Sequence, residues 1–219
     1  MGSAALFRFI IAGAAFVSVP AQAQNPDDDL ETYAVSVIHT TPFKGPFSGY
    51  GVYLGDGAVI TAAHVVGHWP LFAYPGIVIA GQELPAKVIK KGSFEQTDLA
   101  LLSVDETLLP VSLRLRRNPL CKMPPYVGTN VNVAYPDRTV RSRIISPWLV
   151  APQDRTRFST LINDVQGSGS GAFHAERKCL LGIMSASVPI YHYRGQSGRA
   201  GYFVPASTIA DFIPAEFRF

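Results

Sequence analysis

The feature that most constrains the fold is a succession of short apolar runs separated by turn residues. The runs are rich in Val, Ile, Tyr and Phe, which favour β-strands. The chain also contains 19 Gly and 17 Pro, as expected for a backbone that changes direction often. Many short strands at regular spacing indicate a barrel or sandwich, so the sequence predicts an all-β fold. The predicted strands are residues 33–39, 51–54, 58–61, 77–80, 86–90, 100–104, 130–134, 144–149, 158–162, 171–173, 180–185 and 202–205.

A break in this pattern divides the chain into two halves of comparable size. Between residues 106 and 125 the strand signals stop, and prolines flank a cluster of arginines, a composition typical of a linker. We therefore expect one β-domain over residues 24–110 and a second over residues 111–219. Residues 207–213 begin with a serine that can cap a helix and carry an apolar face, so they predict a short C-terminal helix.

Residues 1–23 have the three-part layout of a secretory signal peptide. Arg8 precedes an apolar run over residues 9–19, and Ala21-Gln22-Ala23 ends the segment. The run is shorter than the roughly 20 residues that a helix needs to cross a bilayer. The sequence therefore predicts cleavage near Ala23, a secreted or periplasmic protein, and no membrane segment in the mature form.

The two cysteines, Cys121 and Cys179, both belong to the part of the chain predicted to be exported. An even number of cysteines in an oxidising compartment favours a disulfide over free thiols. Closing a loop of this length stabilises the fold by about 3–5 kcal/mol on the chain-entropy model.

The formal net charge is +3 and the isoelectric point is near 8.9. A nucleic-acid-binding module would combine its basic residues with a recognisable pattern of aromatic residues, and export argues against such a role. The basic residues are therefore expected to form a solvated surface, and no nucleic-acid partner is predicted.

Three segments contain the residue types that acyl transfer requires. His64 follows an apolar strand, Asp98 precedes another, and the glycine-rich segment 166–173 contains Ser168 and Ser170. A serine hydroxyl becomes nucleophilic when an imidazole accepts its proton, and a buried carboxylate orients that imidazole. Backbone N–H groups in a tight loop can stabilise the oxyanion. These residues occur along the chain in the order His, Asp, Ser, as in chymotrypsin.

These motifs resemble those of chymotrypsin-like serine proteases. The Thr-Ala-Ala-His segment that ends at His64 is similar to their histidine motif, and the Thr-Asp-Leu-Ala-Leu segment around Asp98 to their aspartate motif. The serine loop resembles Gly-Asn-Ser-Gly-Ser-Pro-Val-Phe of the bacterial glutamyl-endopeptidase-like branch. The likeness covers residues 33–212. It implies two antiparallel six-stranded β-barrels and a secreted endopeptidase that forms an acyl-enzyme without a cofactor.

The resemblance leaves two candidates for the nucleophile. Alignment on the Ser-Gly-Ser motif selects Ser168 and makes the backbone N–H groups of Gln166 and Ser168 the oxyanion hole. A shift of two residues selects Ser170 and gives a more typical spacing to Gly182. The family usually has glycine where Gln166 stands, and Asp or Asn where Gly167 stands.

The resemblance also implies where a peptide substrate lies. The pocket for the residue before the scissile bond contains no acidic residue, and Met184 stands where glutamate-selective members have histidine. A neutral, apolar side chain is therefore expected there. The peptide backbone is expected to add as a strand. The predicted substrate-binding residues are Ile162, Asn163, Ser185, Ala186, Ser187 and Gly201.

Two other classes of function match parts of the sequence. His64 and His68 have the spacing of a zinc pair on a helix, but no glutamate stands between them, so no metal site is predicted. The second alternative is a protein with a protease fold that binds peptides without turnover, which the unusual Gln166 and Gly167 motivate. In either case the mature protein is expected to be a monomer.

Overall fold

The structure is a computed structural model, and it describes residues 28–41, 44–67, 75–191 and 197–217. The predicted signal peptide and His68 lie outside these ranges. The described chain consists of antiparallel strands with a few short helices, which confirms the all-β prediction.

In the first half, the described residues form seven strands and two single-turn helices. The helices are α1 (Asp28–Glu31) and α2 (Ala63–Val66). The strands are β1 (Ala34–Thr41), β2 (Lys44–Gly55), β3 (Ala58–Thr61), β4 (Pro75–Ile79), β5 (Gln82–Pro85), β6 (Lys87–Lys91) and β7 (Ala100–Ser103).

The described part of the second half contains six strands and two α-helices. The helices are α3 (Val111–Arg114) and α4 (Ala206–Phe212), the latter one residue from the predicted position. The strands are β8 (Asn130–Tyr135), β9 (Arg138–Ile145), β10 (Leu161–Asn163), β11 (Gly171–His174), β12 (Leu180–Tyr191) and β13 (Ser197–Pro205). Short 3₁₀ turns lie at Glu106–Leu108, Pro147–Leu149, Pro152–Asp154 and Ala215–Phe217.

The second half forms the closed six-stranded barrel that the sequence predicts. Its strands follow the order β10-β13-β12-β11-β8-β9, and every neighbouring pair is antiparallel. Closure leaves this half without a sheet edge along most of its length.

The first half differs from the predicted six-stranded barrel. Its described strands form a curled seven-stranded sheet in the order β5-β4-β1-β2-β3-β7-β6. The edge strands β5 and β6 are consecutive in the chain and are separated by Ala86, whose N–H donates to the Pro75 carbonyl at 2.9 Å. The segment from β5 to β6 thus changes its pairing partner from β4 to β7 at Ala86. The two edge strands are connected by this residue and do not pair with each other through backbone hydrogen bonds.

The two halves share a hydrophobic core. Val52 and Leu101 of the first half belong to the same buried cluster as Phe173 and Ile183 of the second. Helix α4 contributes Ile209 to this cluster. Because apolar burial is continuous across the boundary, residues of the two halves can be held at fixed positions relative to each other.

The predicted disulfide is present. Cys121 and Cys179 are bonded, with their Cα atoms 5.0 Å apart, and the bond joins the linker to the turn between β11 and β12. The backbone N–H of Cys121 donates to the Leu180 carbonyl at 2.9 Å, which continues this connection. Among the described helices, none has the length and apolar character needed to cross a membrane.

Candidate active site

His64 lies in the single-turn helix α2, directly after the buried strand β3. Its neighbours Ala63, Val65 and Val66 are buried, whereas the His64 side chain is 30 % exposed. The apolar neighbours therefore anchor the turn and leave the imidazole at the surface of the first half.

Asp98 binds His64 through both carboxylate oxygens. Its Oδ1 accepts the His64 backbone N–H at 3.0 Å, and its Oδ2 lies 2.8 Å from His64 Nδ1. The side chain of Asp98 is 3 % exposed. Burial raises the pKa of Asp98, but hydrogen bonds from the His64 ring, the Ser185 hydroxyl and the His64 amide together bring it below its usual value. The carboxylate therefore remains ionised at neutral pH.

Ser185, at the start of the predicted substrate strand, contributes a second donor to this carboxylate. Its hydroxyl donates to Asp98 Oδ2 at 2.5 Å, and its backbone carbonyl accepts a long hydrogen bond of 3.4 Å from the Ser168 hydroxyl. Ser185 thus contacts both the Asp98 carboxylate and Ser168. The sequence predicted only a substrate-binding role for it.

The loop that contains Ser168 is docked onto strand β2 of the first half. Tyr50 N–H donates to the Ser168 carbonyl at 2.9 Å. Gly169 has φ of +86°, and a Cβ atom at this position would collide with the Tyr50 carbonyl. Gly169 N–H donates to the Met184 carbonyl at 2.7 Å. Only glycine fits this approach, so the loop's position relative to His64 depends on it.

The two candidate serines have different environments. Ser168 is partly exposed. Ser170 is fully buried, and its hydroxyl donates to the Gly167 carbonyl at 2.7 Å. Within the described residues, no hydrogen bond joins the Ser168 hydroxyl to the His64 ring.

Three successive amides before and at Ser168 are available as donors. The backbone N–H groups of Gln166, Gly167 and Ser168 form no hydrogen bond with any described residue. Unpaired amides at a tight turn can bind an oxyanion. The predicted oxyanion-hole residues, Gln166 and Ser168, are therefore two of these three.

Tyr135, at the end of β8, packs against the loop that contains Ser168. Its hydroxyl donates to the Gln166 carbonyl, and a Cβ atom at Gly167 would collide with its ring. The ring meets Tyr50 edge-on with centroids 5.1 Å apart. Burial raises the pKa of Tyr135, so its hydroxyl remains a protonated donor. Gly167 and Tyr135 therefore fit each other, and a larger residue at Gly167 requires a different arrangement.

The sequence around Tyr135 does not identify this role. A tyrosine directly after the predicted strand 130–134 is consistent with a core position, and its hydroxyl partner Gln166 lies 31 residues later. The glycine at 167 is the one available signal, because a residue without a side chain next to a candidate nucleophile indicates close approach by another group.

The predicted substrate strand has one unpaired edge. Strand β12 pairs with β11 only as far as Ile183, whereas its pairing with β13 continues to Tyr191. Within the described chain, residues 185–187 therefore have no strand partner on the edge that faces Ser168. The Ser187 carbonyl accepts a hydrogen bond from the Arg199 side chain at 2.8 Å.

The two residues predicted to form the floor of the substrate pocket differ in burial. Ile162 is fully buried within the core of the second barrel, and Asn163 is exposed at the end of β10. Gly201 pairs with both Ile162 and Ser187, and a Cβ atom there would collide with Met184. Met184 therefore occupies the space beside Gly201.

No protein-family model and no curated protein sequence matches this chain. Solved structures do match. The active form of the Rv3671c protease from M. tuberculosis is 19 % identical, with a TM-score of 0.60 over 95 % of this chain and 92 % of that one. Kallikrein-related peptidase 10 in complex with Zn²⁺ is 18 % identical, with a TM-score of 0.59 over 86 % and 96 %. The MamO protease domain from Magnetospirillum magneticum is 19 % identical, with a TM-score of 0.55 over 84 % and 97 %.

The fold is that of chymotrypsin-like serine proteases. Identities at this level establish the shared fold, whereas function rests on the site itself. In the described residues, no group of three or more His, Cys, Asp or Glu side chains could hold a metal ion.

Proposed function

We propose that this chain is an exported serine endopeptidase with His64, Asp98 and Ser168 as its catalytic triad. The observation that supports this most is the buried Asp98 carboxylate, which binds His64 through both oxygens and also accepts the Ser185 hydroxyl. This arrangement holds the imidazole with Nδ1–H towards Asp98. Nε2 is then the basic nitrogen, as a general base requires.

In the proposed reaction, Ser168 Oγ attacks the peptide carbonyl and its proton passes to His64 Nε2. The ionised Asp98 stabilises the imidazolium that forms. His64 then gives the proton to the leaving amine, and the peptide bond breaks to leave an ester on Ser168. A water molecule, deprotonated by His64, hydrolyses this ester in the second half of the cycle.

The environment of the two serines favours Ser168 as the nucleophile. Ser170 is fully buried and its hydroxyl already donates to the Gly167 carbonyl, so it has no route to a substrate. Ser168 is partly exposed and lies next to Ser185, which contacts Asp98.

The unpaired amides of Gln166 and Ser168 are proposed to bind the oxyanion. In this chain the Tyr135 hydroxyl holds the Gln166 carbonyl, so the loop has a support that does not require the usual residues at 166 and 167. Removing one oxyanion donor costs serine proteases about 10²–10³-fold in kcat.

The proposed substrate is a polypeptide that adds as a strand to the unpaired edge of residues 185–187. Met184 is buried beside Gly201, so we extend the proposal to a neutral residue before the scissile bond and not to a glutamyl preference. The disulfide between Cys121 and Cys179 is consistent with an oxidising compartment, which supports export.

A fluorophosphonate probe tests this proposal. The mature protein is expected to be labelled on Ser168, as located by mass spectrometry, and His64→Ala is expected to abolish labelling. His174→Ala is the matched control, because His174 lies on β11 and its ring accepts the backbone N–H groups of Glu176 and Arg177 in its own turn. Labelling of Ser170, or a folded protein that resists labelling, would contradict the proposal.

A second function is favoured by the position of the Ser168 hydroxyl. It donates to the Ser185 carbonyl and not to His64, so the site could bind peptides along β12 without turnover. In that case peptides bind the folded protein, and neither cleavage nor labelling occurs.

A further inference from the structure

A groove beside Asp98 and Ser185 contains Arg157, which forms no ion pair with any residue that the structure describes. The groove has a volume of about 510 Å³. Arg157 lines it together with the aromatic side chains of Phe94, Phe158 and Tyr202. This volume suits one or two side chains of a bound peptide rather than a large ligand.

The Arg157 guanidinium is held in place by aromatic rings. Its central carbon lies 4.9 Å from the centroid of the Phe94 ring and 5.3 Å from that of Phe158. One nitrogen donates to the Phe94 carbonyl at 3.2 Å. A guanidinium has five N–H donors, so most remain available after this bond. The rings restrict the side chain before any ligand binds, which lowers the entropy cost of pairing.

The charge of Arg157 is not neutralised by its surroundings. Within the described residues, no carboxylate oxygen lies within 4.0 Å of its nitrogens. Two carboxylates, those of Asp98 and Glu95, border the groove. Asp98 is already bound by His64 and Ser185, and Glu95 is exposed and forms no ion pair in the part of the chain that the structure describes.

The groove is continuous with the proposed active site. The Phe94 ring meets the His64 ring edge-on with centroids 5.7 Å apart. Tyr202 pairs in register with Ala186, a residue of the strand that is proposed to bind the substrate backbone. A peptide extended along residues 185–187 presents alternate side chains to one side, so one of them would reach the groove.

We propose that Arg157 makes this groove a subsite for an acidic side chain of the substrate, two to four residues before the scissile bond. The inference rests on the proposed function, because it takes the substrate backbone to lie along β12. A carboxylate matches the planar guanidinium and can accept two parallel hydrogen bonds from it. Arg157 is exposed, so the advantage over an ordinary surface pair comes from the restraint that the Phe94 and Phe158 rings place on the guanidinium and not from exclusion of water.

Matched peptides test the proposal. Quenched fluorescent peptides would be identical except for Asp, Asn or Lys at the second, third or fourth residue before the cleaved bond. At one of these positions we expect Asp to exceed Asn by about threefold to fivefold in kcat/KM, mainly through KM, and Lys to be poorer still. The preference for Asp is expected to fall as salt concentration rises. Equal cleavage of Asp and Asn peptides at all three positions would overturn the proposal.

A matched pair of variants assigns the effect to Arg157. Arg157→Gln is expected to bring the ratio of Asp to Asn cleavage close to one. Arg155→Gln is the control, because Arg155 stacks on Trp148 at 4.4 Å and does not line the groove. A loss of preference in Arg155→Gln as large as in Arg157→Gln would mean that the effect is general electrostatics, and the proposal would fail.

Binding separates this inference from the proposed function. The same peptides, labelled with a fluorophore, would be titrated with Ser168→Ala, and binding would be followed by anisotropy. A preference for Asp in binding without turnover by the unmodified protein would refute the peptidase and retain the Arg157 subsite. Turnover without a preference for Asp in either assay would retain the peptidase and refute the subsite.

Discussion

The His64–Asp98 pair and the Ser168 loop are held in place by different kinds of contact. His64 comes after strand β3, and Asp98 comes before strand β7. These two strands pair directly in one sheet, which brings the two residues together. The Ser168 loop depends on residues far away in sequence: Tyr50 of the first half fixes its carbonyl, and Tyr135 fixes Gln166.

This difference coincides with where the sequence departs from the protease motifs that it resembles, at Gln166 and Gly167 of the loop. Strand pairing positions His64 and Asp98 through local motifs, and both match the family pattern. The loop can deviate at Gln166 and Gly167 because a distant tyrosine supports it. The comparison predicts that changes to His64 or Asp98 abolish the proposed catalysis with little loss of stability. Changes to the loop contacts should also alter the positions of the unpaired backbone N–H groups and the packing between the two halves.

The largest effect is expected for Asp98→Asn. An amide can no longer stabilise the imidazolium and favours the wrong tautomer of His64, so kcat should fall by about 10⁴-fold. Steady-state kinetics on a peptide substrate measures this, with circular dichroism to establish folding. Asp105→Asn is the control, because Asp105 caps an exposed 3₁₀ turn. A fall of less than tenfold would remove Asp98 from the mechanism.

Gly169→Ala should show how tightly the loop is docked. The new methyl group collides with the Tyr50 carbonyl at a φ of +86°, so we expect a loss of about 3–5 kcal/mol in the free energy of unfolding. Gly128→Ala is a matched control, because its φ is +91° but nothing lies within 4 Å of the added atom. This control should lose about 1–2 kcal/mol. Equal losses in urea denaturation would show that the contact with Tyr50 adds nothing.

Tyr135→Phe should disturb the proposed oxyanion hole while the three residues of the proposed triad stay in place. Loss of the hydroxyl releases the Gln166 carbonyl, and we expect kcat to fall about tenfold with a smaller change in KM. Tyr126→Phe serves as the control, since Tyr126 is 59 % exposed. If KM rises while kcat is unchanged, Tyr135 acts on substrate binding and not on the loop.

Ser185→Ala should have the smallest effect at neutral pH, about 1 kcal/mol in stability. The hydrogen bonds to Asp98 lower its pKa in the folded state, so their stabilisation is present above the ordinary value of 3.8 and is lost as pH falls through the lower folded value. Without the Ser185 hydroxyl the pKa of Asp98 rises, and the acid loss of stability begins at higher pH. Melting temperatures measured across this pH range test the prediction, with Ser187→Ala as the control. The prediction would be wrong if the melting temperatures of both variants changed with pH in the same way as those of the unmodified protein.

Much of the fold was predictable from local patterns, and the exceptions have physical causes. Short apolar runs bounded by turn residues predicted most strands. Strand β9 was displaced in the prediction because its first part, Arg138–Ser142, exposes arginines and lacks an apolar run, whereas 147–149 forms a 3₁₀ turn. Strand β5 is polar apart from Leu84 and was not predicted. The curled first sheet depends on a change of partner at Ala86, which no local pattern encodes.

The candidate site was predictable to a similar extent. Motifs identified His64, Asp98 and a serine loop, but the distinction between Ser168 and Ser170 depends on burial. The environment of Arg157 is built from Phe94 and from strand β13, which come together only in three dimensions. Contacts between distant segments are therefore what the sequence alone could not supply.

The most direct test of the triad is a burst experiment with an activated ester, followed by mass spectrometry of the quenched protein. We predict that close to one equivalent of leaving group is released rapidly and that the acyl group is found on Ser168. His64→Ala should show no burst. An acyl group on another residue, or slow release without a burst and without an acyl adduct in the folded protein, would contradict the account.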